Sequence, residues 1–199
     1  MRIRDLFQEK IFTLSNGFTV LRVLTVPFLG YFLYREHVSG DNVYRYYEMI
    51  CFLIIVLSDF LDGFFARLLN QVSRFGQFLD PVADKITAIS VGILLIIYKD
   101  FPIWVFSLAL IREIVIFIFG IVFYIKKDVD VKPNIFGKIY ANSLAFAAVV
   151  YTLSLDYSVW TITIKEISIF LILLFYTLAI LLYVKTYHKG LFDKKESNH

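Results

Sequence analysis

Residues 58–85, SDFLDGFFARLLNQVSRFGQFLDPVADK, lie between two apolar runs, CFLIIVL (51–57) and ITAISVGILLIIY (86–98). The four carboxylates of this stretch, Asp59, Asp62, Asp80 and Asp84, therefore stand at the margins of two segments suited to hydrocarbon, where charge is costly. Asp59, Asp62, Gly63, Ala66 and Arg67 recur at i, i+3, i+4, i+7 and i+8, the spacing that normally marks the apolar stripe of a helix. Here the stripe is inverted: Phe60, Leu61, Phe64, Phe65, Leu68 and Leu69 cover the remaining surface, so the helix turns its polar face inward. Asp80 and Asp84, four residues apart, share one face of the next helix. Four carboxylates converging on a small volume repel unless a divalent cation or protons occupy it, and oxygen-only donors suit Mg²⁺, Mn²⁺ or Ca²⁺. Gly63, Ala66 and Gly76 leave room for a bulky, phosphate-bearing ligand to approach the backbone.

The composition agrees with a membrane setting. A chain of 199 residues with 59% apolar residues and a mean hydropathy of +0.71 lies far above the share of a water-soluble domain. The one cysteine, Cys51, sits inside an apolar run and forms no disulfide framework. His37, His188 and His199 are too scattered for a zinc site. A formal charge of +3 is modest, and no nucleic-acid partner is expected. The opening MRIRDLFQEKIFTLSNG lacks the apolar core and cleavage site of a signal peptide and reads as mature sequence.

Working outward, the expected fold is an all-α integral membrane protein with six transmembrane helices preceded by a short amphipathic surface helix. That surface helix occupies residues 1–14, with Ile3, Leu6, Phe7, Ile11 and Leu14 on one side. A catalytic domain spans 15–187 and a polar, partly disordered tail 188–199. The first span, about Gly17 to Tyr34, is interrupted by Arg22; Asn16, Thr19 and Arg22 repeat at i, i+3 and i+6, a polar face expected to point at the carboxylates. The second span runs from about Arg45 to Leu69, followed by a loop over 70–79. Asp80-Pro81 alone reads as an N-cap followed by proline in the first turn, but three other spaced carboxylates favour a ligand role. The third span ends near Tyr98 and the fourth covers about Phe101 to Ile125, with Arg112 and Glu113 at its middle. Consecutive residues do not face each other on a helix, so this is either a pair that neutralises neighbouring helices or a site at which Arg112 meets an anionic substrate. After the aqueous loop KKDVDVKPN (126–134) come the fifth span, about Ile135 to Ser154, and the sixth, about Val159 to Val184.

Outside the spans, lysines and arginines concentrate in the N-tail, the 67–74 and 126–138 regions and the C-tail, whereas Arg35, Arg45, Lys99 and Lys165 lie opposite. The positive-inside rule then makes both termini and the acidic site cytoplasmic, in a multi-pass protein of the cell (inner) membrane.

At these residues the chain resembles the CDP-alcohol phosphatidyltransferases. Asp59, Asp62, Gly63, Ala66, Arg67, Gly76, Asp80 and Asp84 match, at every position and gap, the family signature D-x2-D-G-x2-A-R-x8-G-x3-D-x3-D, and FLDPVADK (78–85) looks most like the phosphatidylglycerophosphate synthase branch. Asn16, Thr19 and Arg22 correspond to the family's P-N-x2-T-x2-R, with Ser15 where the proline stands. The resemblance implies transfer of a phosphatidyl group from CDP-diacylglycerol to a hydroxyl acceptor with CMP as leaving group, two Mg²⁺ or Mn²⁺ ions, and a homodimer. Carried over by position, Asp59, Asp62 and Asp80 hold the metals. Asp84 is the general base and also touches metal. Asp62, Gly63, Ala66, Arg67, Gly76, Asn16 and Thr19 line the CDP pocket. Arg112, Lys138 and Arg22 are assigned to phosphates, those of a small phosphorylated polyol acceptor for Arg112 and Lys138, with Arg22 near the donor.

Glycerol 3-phosphate is the expected acceptor. Enzymes that use it often carry G-K-x-K-T-x2-Q at the fifth span, whereas here Gly137-Lys138 continues as Ile139, Tyr140, Ala141, Asn142, Ser143 and Leu144. A cardiolipin-synthase-like use of phosphatidylglycerol, or of another polyol phosphate, is the alternative. A cation carrier fits less well, because the carboxylates cluster near one surface and the later spans offer no acidic route across. A scaffold without catalytic activity would have no use for four carboxylates.

Overall fold

The computed structural model describes residues 14–68, 74–126, 135–159 and 161–196. Six long helices make up nearly all of it: α1 (Leu14–Ser39), α2 (Val43–Leu68), α3 (Arg74–Lys99), α4 (Ile103–Lys126), α5 (Ile135–Thr152) and α6 (Ile164–Glu196). A two-stranded antiparallel hairpin, β1 (Ser158–Val159) and β2 (Ile162–Thr163), precedes α6. Among the described residues four helical segments are long and apolar enough to cross a membrane: Asn16–Ser39, Asp80–Lys99, Ile135–Thr152 and Ile164–Leu182. Large apolar side chains such as Phe28, Phe60, Phe117 and Phe170 stand exposed on the helix surfaces, a pattern that suits lipid rather than water as the surrounding solvent. The expected surface helix, all of it but Leu14, lies outside the described residues, as do most of the 126–134 loop and the last three residues of the tail.

The chain divides into two units, Met1–Phe101 and Pro102–His199. In the first, α1 packs against both α2 and α3. Leu29 and Leu33 of α1 are fully buried, and Phe52 and Ile55 of α2 and Val91 and Leu95 of α3 are buried as well. At Gly30 the approach to α3 is close: a Cβ there would lie 3.1 Å from Leu94 Cδ2. α1 ends where Gly40 adopts φ of +68° and returns its N–H to Glu36 O at 2.8 Å, a left-handed cap. Asp41 then caps α2, its Oδ1 accepting from Val43 N at 2.9 Å. In the second unit α5 packs on α6. α6 opens with a reciprocal pair: Thr163 Oγ1 accepts from Glu166 N at 3.2 Å while Glu166 Oε2 accepts from Thr163 N at 2.8 Å.

Three boundaries differ from the sequence expectations. α3 begins at Arg74, so residues 74–79, expected as loop, are helical and Asp80 lies within the helix rather than at its cap. Pro81 lies inside the helix and forfeits a single backbone bond, a loss that one continuous helix absorbs. The sixth helix starts at Ile164 rather than near Val159, because the hairpin occupies 158–163. The segment 188–196, expected as a loose tail, continues α6, since elongating a formed helix avoids the cost of a new nucleus.

Candidate active site

α1 brings Thr19 and Arg22 to the same end of the first unit as Asp59 and Asp62 near the close of α2 and Asp80 and Asp84 in the opening turns of α3. Arg22 is the centre of the arrangement. Its Nη1 donates to Asp84 Oδ1 and lies 3.1 Å from Asp59 Oδ1, and its Nη2 donates to Asp62 Oδ2. Thr19, fully buried, donates from Oγ1 to Asp80 Oδ1 at 2.6 Å. Asn16, one turn earlier, is buried on the same helix. The polar face of α1 therefore meets the carboxylates of α2 and α3, and an arginine assigned from its motif position to the donor's phosphates sits among the acids.

Exposure is graded across the cluster. The Arg22 side chain is 3% exposed and that of Asp62 9%, against 64% for Asp59 and 50% for Asp84. The guanidinium forms the floor and two carboxylates stand at the open side, where a ligand can reach them. Arg22 Nε is buried with no partner, so the guanidinium is held by its two terminal nitrogens.

Among the described residues the Arg22 guanidinium meets three carboxylates, Asp59, Asp62 and Asp84, with Asp80 alongside on Thr19, and an oxygen-only donor set of this kind fits hard divalent cations. Among the described residues no three acidic, histidine or cysteine groups lie close enough together to hold one ion; the carboxylates are gathered around Arg22 instead. Gly63, Ala66 and Arg67 fall in the last turns of α2 and Gly76 in the first turn of α3, with side-chain surroundings outside the described residues.

In the second unit Arg112 projects from α4. Its guanidinium lies 4.3 Å above the ring of Tyr140 on α5, and its Nη1 donates to Glu113 Oε1 at 3.0 Å. The adjacent pair therefore does meet, contrary to the sequence expectation, because a long arginine side chain can fold back over its neighbour. Lys138 is exposed, two residues before the buried Tyr140.

A second ionic cluster escaped the sequence reading. At the other end of the first unit Lys99 Nζ contacts Glu36 Oε2 and lies 3.0 Å from Glu48 Oε2, while Arg45 Nε reaches Glu36 Oε1 at 2.5 Å. Lys99 and Glu48 are buried, Glu48 completely. Its signal was faint: Glu36 and Glu48 stand inside or at the edge of spans without a motif, and Arg45 and Lys99 resembled flanking charges.

The model of the CDP-alcohol phosphatidyltransferase family matches residues 12–185, nearly the whole chain and every carboxylate of the cluster. The chain belongs to this family. Among curated CDP-alcohol phosphatidyltransferases it is similar to the CDP-diacylglycerol–glycerol-3-phosphate 3-phosphatidyltransferase of Wigglesworthia glossinidia brevipalpis, 40% identical over 49% of this chain and 53% of the relative. The protein of that name from Aquifex aeolicus is 38% identical over 62% of this chain and 66% of its own length. A probable cardiolipin synthase (CMP-forming) of Drosophila melanogaster is 32% identical over 66% of this chain and 38% of the relative. The chain thus spans between one third and two thirds of these relatives' lengths. CDP-alcohol phosphatidyltransferases generally use divalent metals, in keeping with the carboxylate oxygens gathered at this end of the unit.

Proposed function

We propose that the chain transfers a phosphatidyl group from CDP-diacylglycerol to the free hydroxyl of glycerol 3-phosphate, giving phosphatidylglycerophosphate and CMP. The observation that carries this reading is the gathering of three signature carboxylates, Asp59, Asp62 and Asp84, around Arg22, with the fourth, Asp80, held by Thr19 on the same helix, in a chain whose relatives bear that enzyme's name.

In this reading Asp59, Asp62, Asp80 and Asp84 are the residues that would hold two Mg²⁺ or Mn²⁺ ions. Bound there, the ions would neutralise the donor's diphosphate and stabilise charge on the attacking and leaving oxygens. The chain's own residues do the rest. Asp84, half-exposed at the open side, accepts the proton of the acceptor hydroxyl as its oxygen bonds to the lipid-bearing phosphorus and the bond from that phosphorus to the CMP oxygen breaks. Arg22 keeps Asp84, Asp62 and Asp59 aimed at one volume, and its charge also favours the donor's phosphates. Thr19 fixes the carboxylate of Asp80. Arg67 suits a phosphate oxygen pair better than a lysine would, and Gly63, Ala66, Gly76 and Asn16 complete the cytidine diphosphate pocket. Arg112 and Lys138 take the acceptor's phosphate.

The same reading gives six membrane spans and an amphipathic helix before them. It places both termini and the site on the cytoplasmic face of the inner membrane, on the distribution of lysine and arginine, and it pairs the chain as a homodimer. A second reading, with phosphatidylglycerol or another polyol phosphate as acceptor, is favoured by the Drosophila relative and by Tyr140 to Leu144, which depart from the glycerol-3-phosphate pattern.

The test is CMP release from CDP-diacylglycerol by purified protein with Mg²⁺ or Mn²⁺, offering glycerol 3-phosphate, phosphatidylglycerol, inositol phosphate and serine in parallel. Metal-dependent release with glycerol 3-phosphate alone is the expected result. Release with phosphatidylglycerol alone selects the second reading, and Mn²⁺ transport into liposomes without CMP release discards both.

A further inference from the structure

We propose that Tyr140 is a positioning residue: its ring holds the Arg112 guanidinium flat for the anionic group of the acceptor. The inference rests on the reading of Arg112 as an acceptor-phosphate residue and adds the device that aims it.

Three features of the second unit point this way. The guanidinium of Arg112 sits 4.3 Å over the Tyr140 ring, a geometry that fixes the plane of the cation while leaving its N–H edges directed outward along that plane. Among the described residues its polar partner is Glu113, which engages one terminal nitrogen at 3.0 Å and is itself half-exposed. That contact leaves most of the five N–H donors of the guanidinium for another ligand, and water weakens it. The Arg112 side chain is 10% exposed, too enclosed to be an ordinary solvated charge.

Tyr140 is built as a fixed platform. It is 1% exposed and its ring packs against Tyr176 at 5.7 Å between centroids. Its hydroxyl is buried with no partner, so the ring is held by packing and not by a hydrogen bond of its own. What the position supplies to Arg112 is an aromatic face, and that face does not depend on the hydroxyl.

The experiment compares steady-state CMP release, with donor and acceptor varied separately, for Tyr140→Leu, Tyr140→Phe, Arg112→Ala and Arg112→Ala/Tyr140→Leu, using glycerol 3-phosphate and phosphatidylglycerol as acceptors. Tyr140→Leu is expected to raise the acceptor KM about tenfold, leaving the donor KM and kcat unchanged. Tyr140→Phe restores the acceptor KM and folds at least as well as the native chain. In the Arg112→Ala background the leucine substitution adds nothing, because the platform then has nothing to hold. Should Tyr140→Leu lower Tm, Tyr140→Met fills more of the same volume and carries the comparison. An unchanged acceptor KM in Tyr140→Leu, with Arg112→Ala raising it, overturns the platform and leaves the acceptor reading standing. Arg112→Ala without effect on the acceptor KM overturns both, and a further rise in the double variant shows that Tyr140 does not act through Arg112.

Discussion

The two ends of the α1–α2–α3 unit each draw acid and base from all three helices, yet they are composed differently. At one end Arg22 faces Asp59, Asp62 and Asp84, with Asp80 alongside on Thr19, and two of these carboxylates are open to their surroundings. At the other, Glu36 and Glu48 are matched by Lys99 and Arg45, and Glu48 is completely enclosed. Along α1 the clusters are 14 residues apart, about 21 Å of helix. Charge alone therefore does not mark a site. The enclosed cluster pairs its charges and ties helix ends together, although Glu48 meets Lys99 as an ion pair without a well-formed hydrogen bond. The carboxylate-rich cluster, with Asp59 and Asp84 exposed, is open to a ligand.

The sharpest way to break this contrast is at Asp84. Asp84→Asn is expected to lower turnover by about a thousandfold or more while metal and CDP-lipid binding persist, whereas Asp59→Asn loses turnover and metal together. CMP release and Mn²⁺ titration of both variants check this, and equal metal loss in the two would remove the base assignment. At the opposite end the expected effect is on stability. Lys99→Met leaves two buried carboxylates without their shared cation and costs about 3–5 kcal/mol, read as a lowered Tm. Neutralising the buried members together, with Glu36→Gln and Glu48→Gln added and the half-exposed Arg45 left to solvent, recovers most of that loss. If Lys99→Met instead keeps its Tm and loses metal-dependent turnover, the far cluster is no mere tie.

A smaller effect is expected from Thr19→Val, which removes the hydrogen bond that holds Asp80. It forfeits about 1.5–3 kcal/mol of a bond to a charged acceptor, appearing as weaker metal activation rather than as unfolding. Smallest is Gly30→Ala, midway between the clusters. The added methyl meets the flexible Leu94 side chain at 3.1 Å, so a Tm change equivalent to about 1 kcal/mol or less is expected, with turnover retained. A large loss of turnover there would mean that the spacing of α1 and α3 couples the two ends.

Much of the candidate site could be read from local spacing. The i, i+3, i+6 run of Asn16, Thr19 and Arg22 and the i, i+4 pair Asp80 and Asp84 are properties of single helices, and a helix face is set by 3.6 residues per turn. What spacing could not give is pairing between helices far apart in sequence. Lys99 and Glu36 are 63 residues apart, and neither belongs to a run that singles it out. The start of α3 was misjudged because Asp-Pro is a strong local signal for a helix start, while the cost of one missing N–H inside a long helix is small beside the bonds kept by continuing. The Arg112–Glu113 contact was missed because backbone geometry separates neighbours, but a long side chain can return to them. Six transmembrane helices were expected; among the described residues there are six long helices, four of which hold a segment long and apolar enough to cross a membrane, and the surface helix before them falls outside the described residues.

The length of α6 has a mechanical consequence. Its 33 helical residues amount to about 50 Å of rod, against a hydrocarbon layer of about 30 Å. The segment suited to hydrocarbon ends at Leu182, and the helix runs on to Glu196. The last turns therefore carry the helix about 20 Å past the segment suited to hydrocarbon, as a continuation of the same rod on which α5 packs.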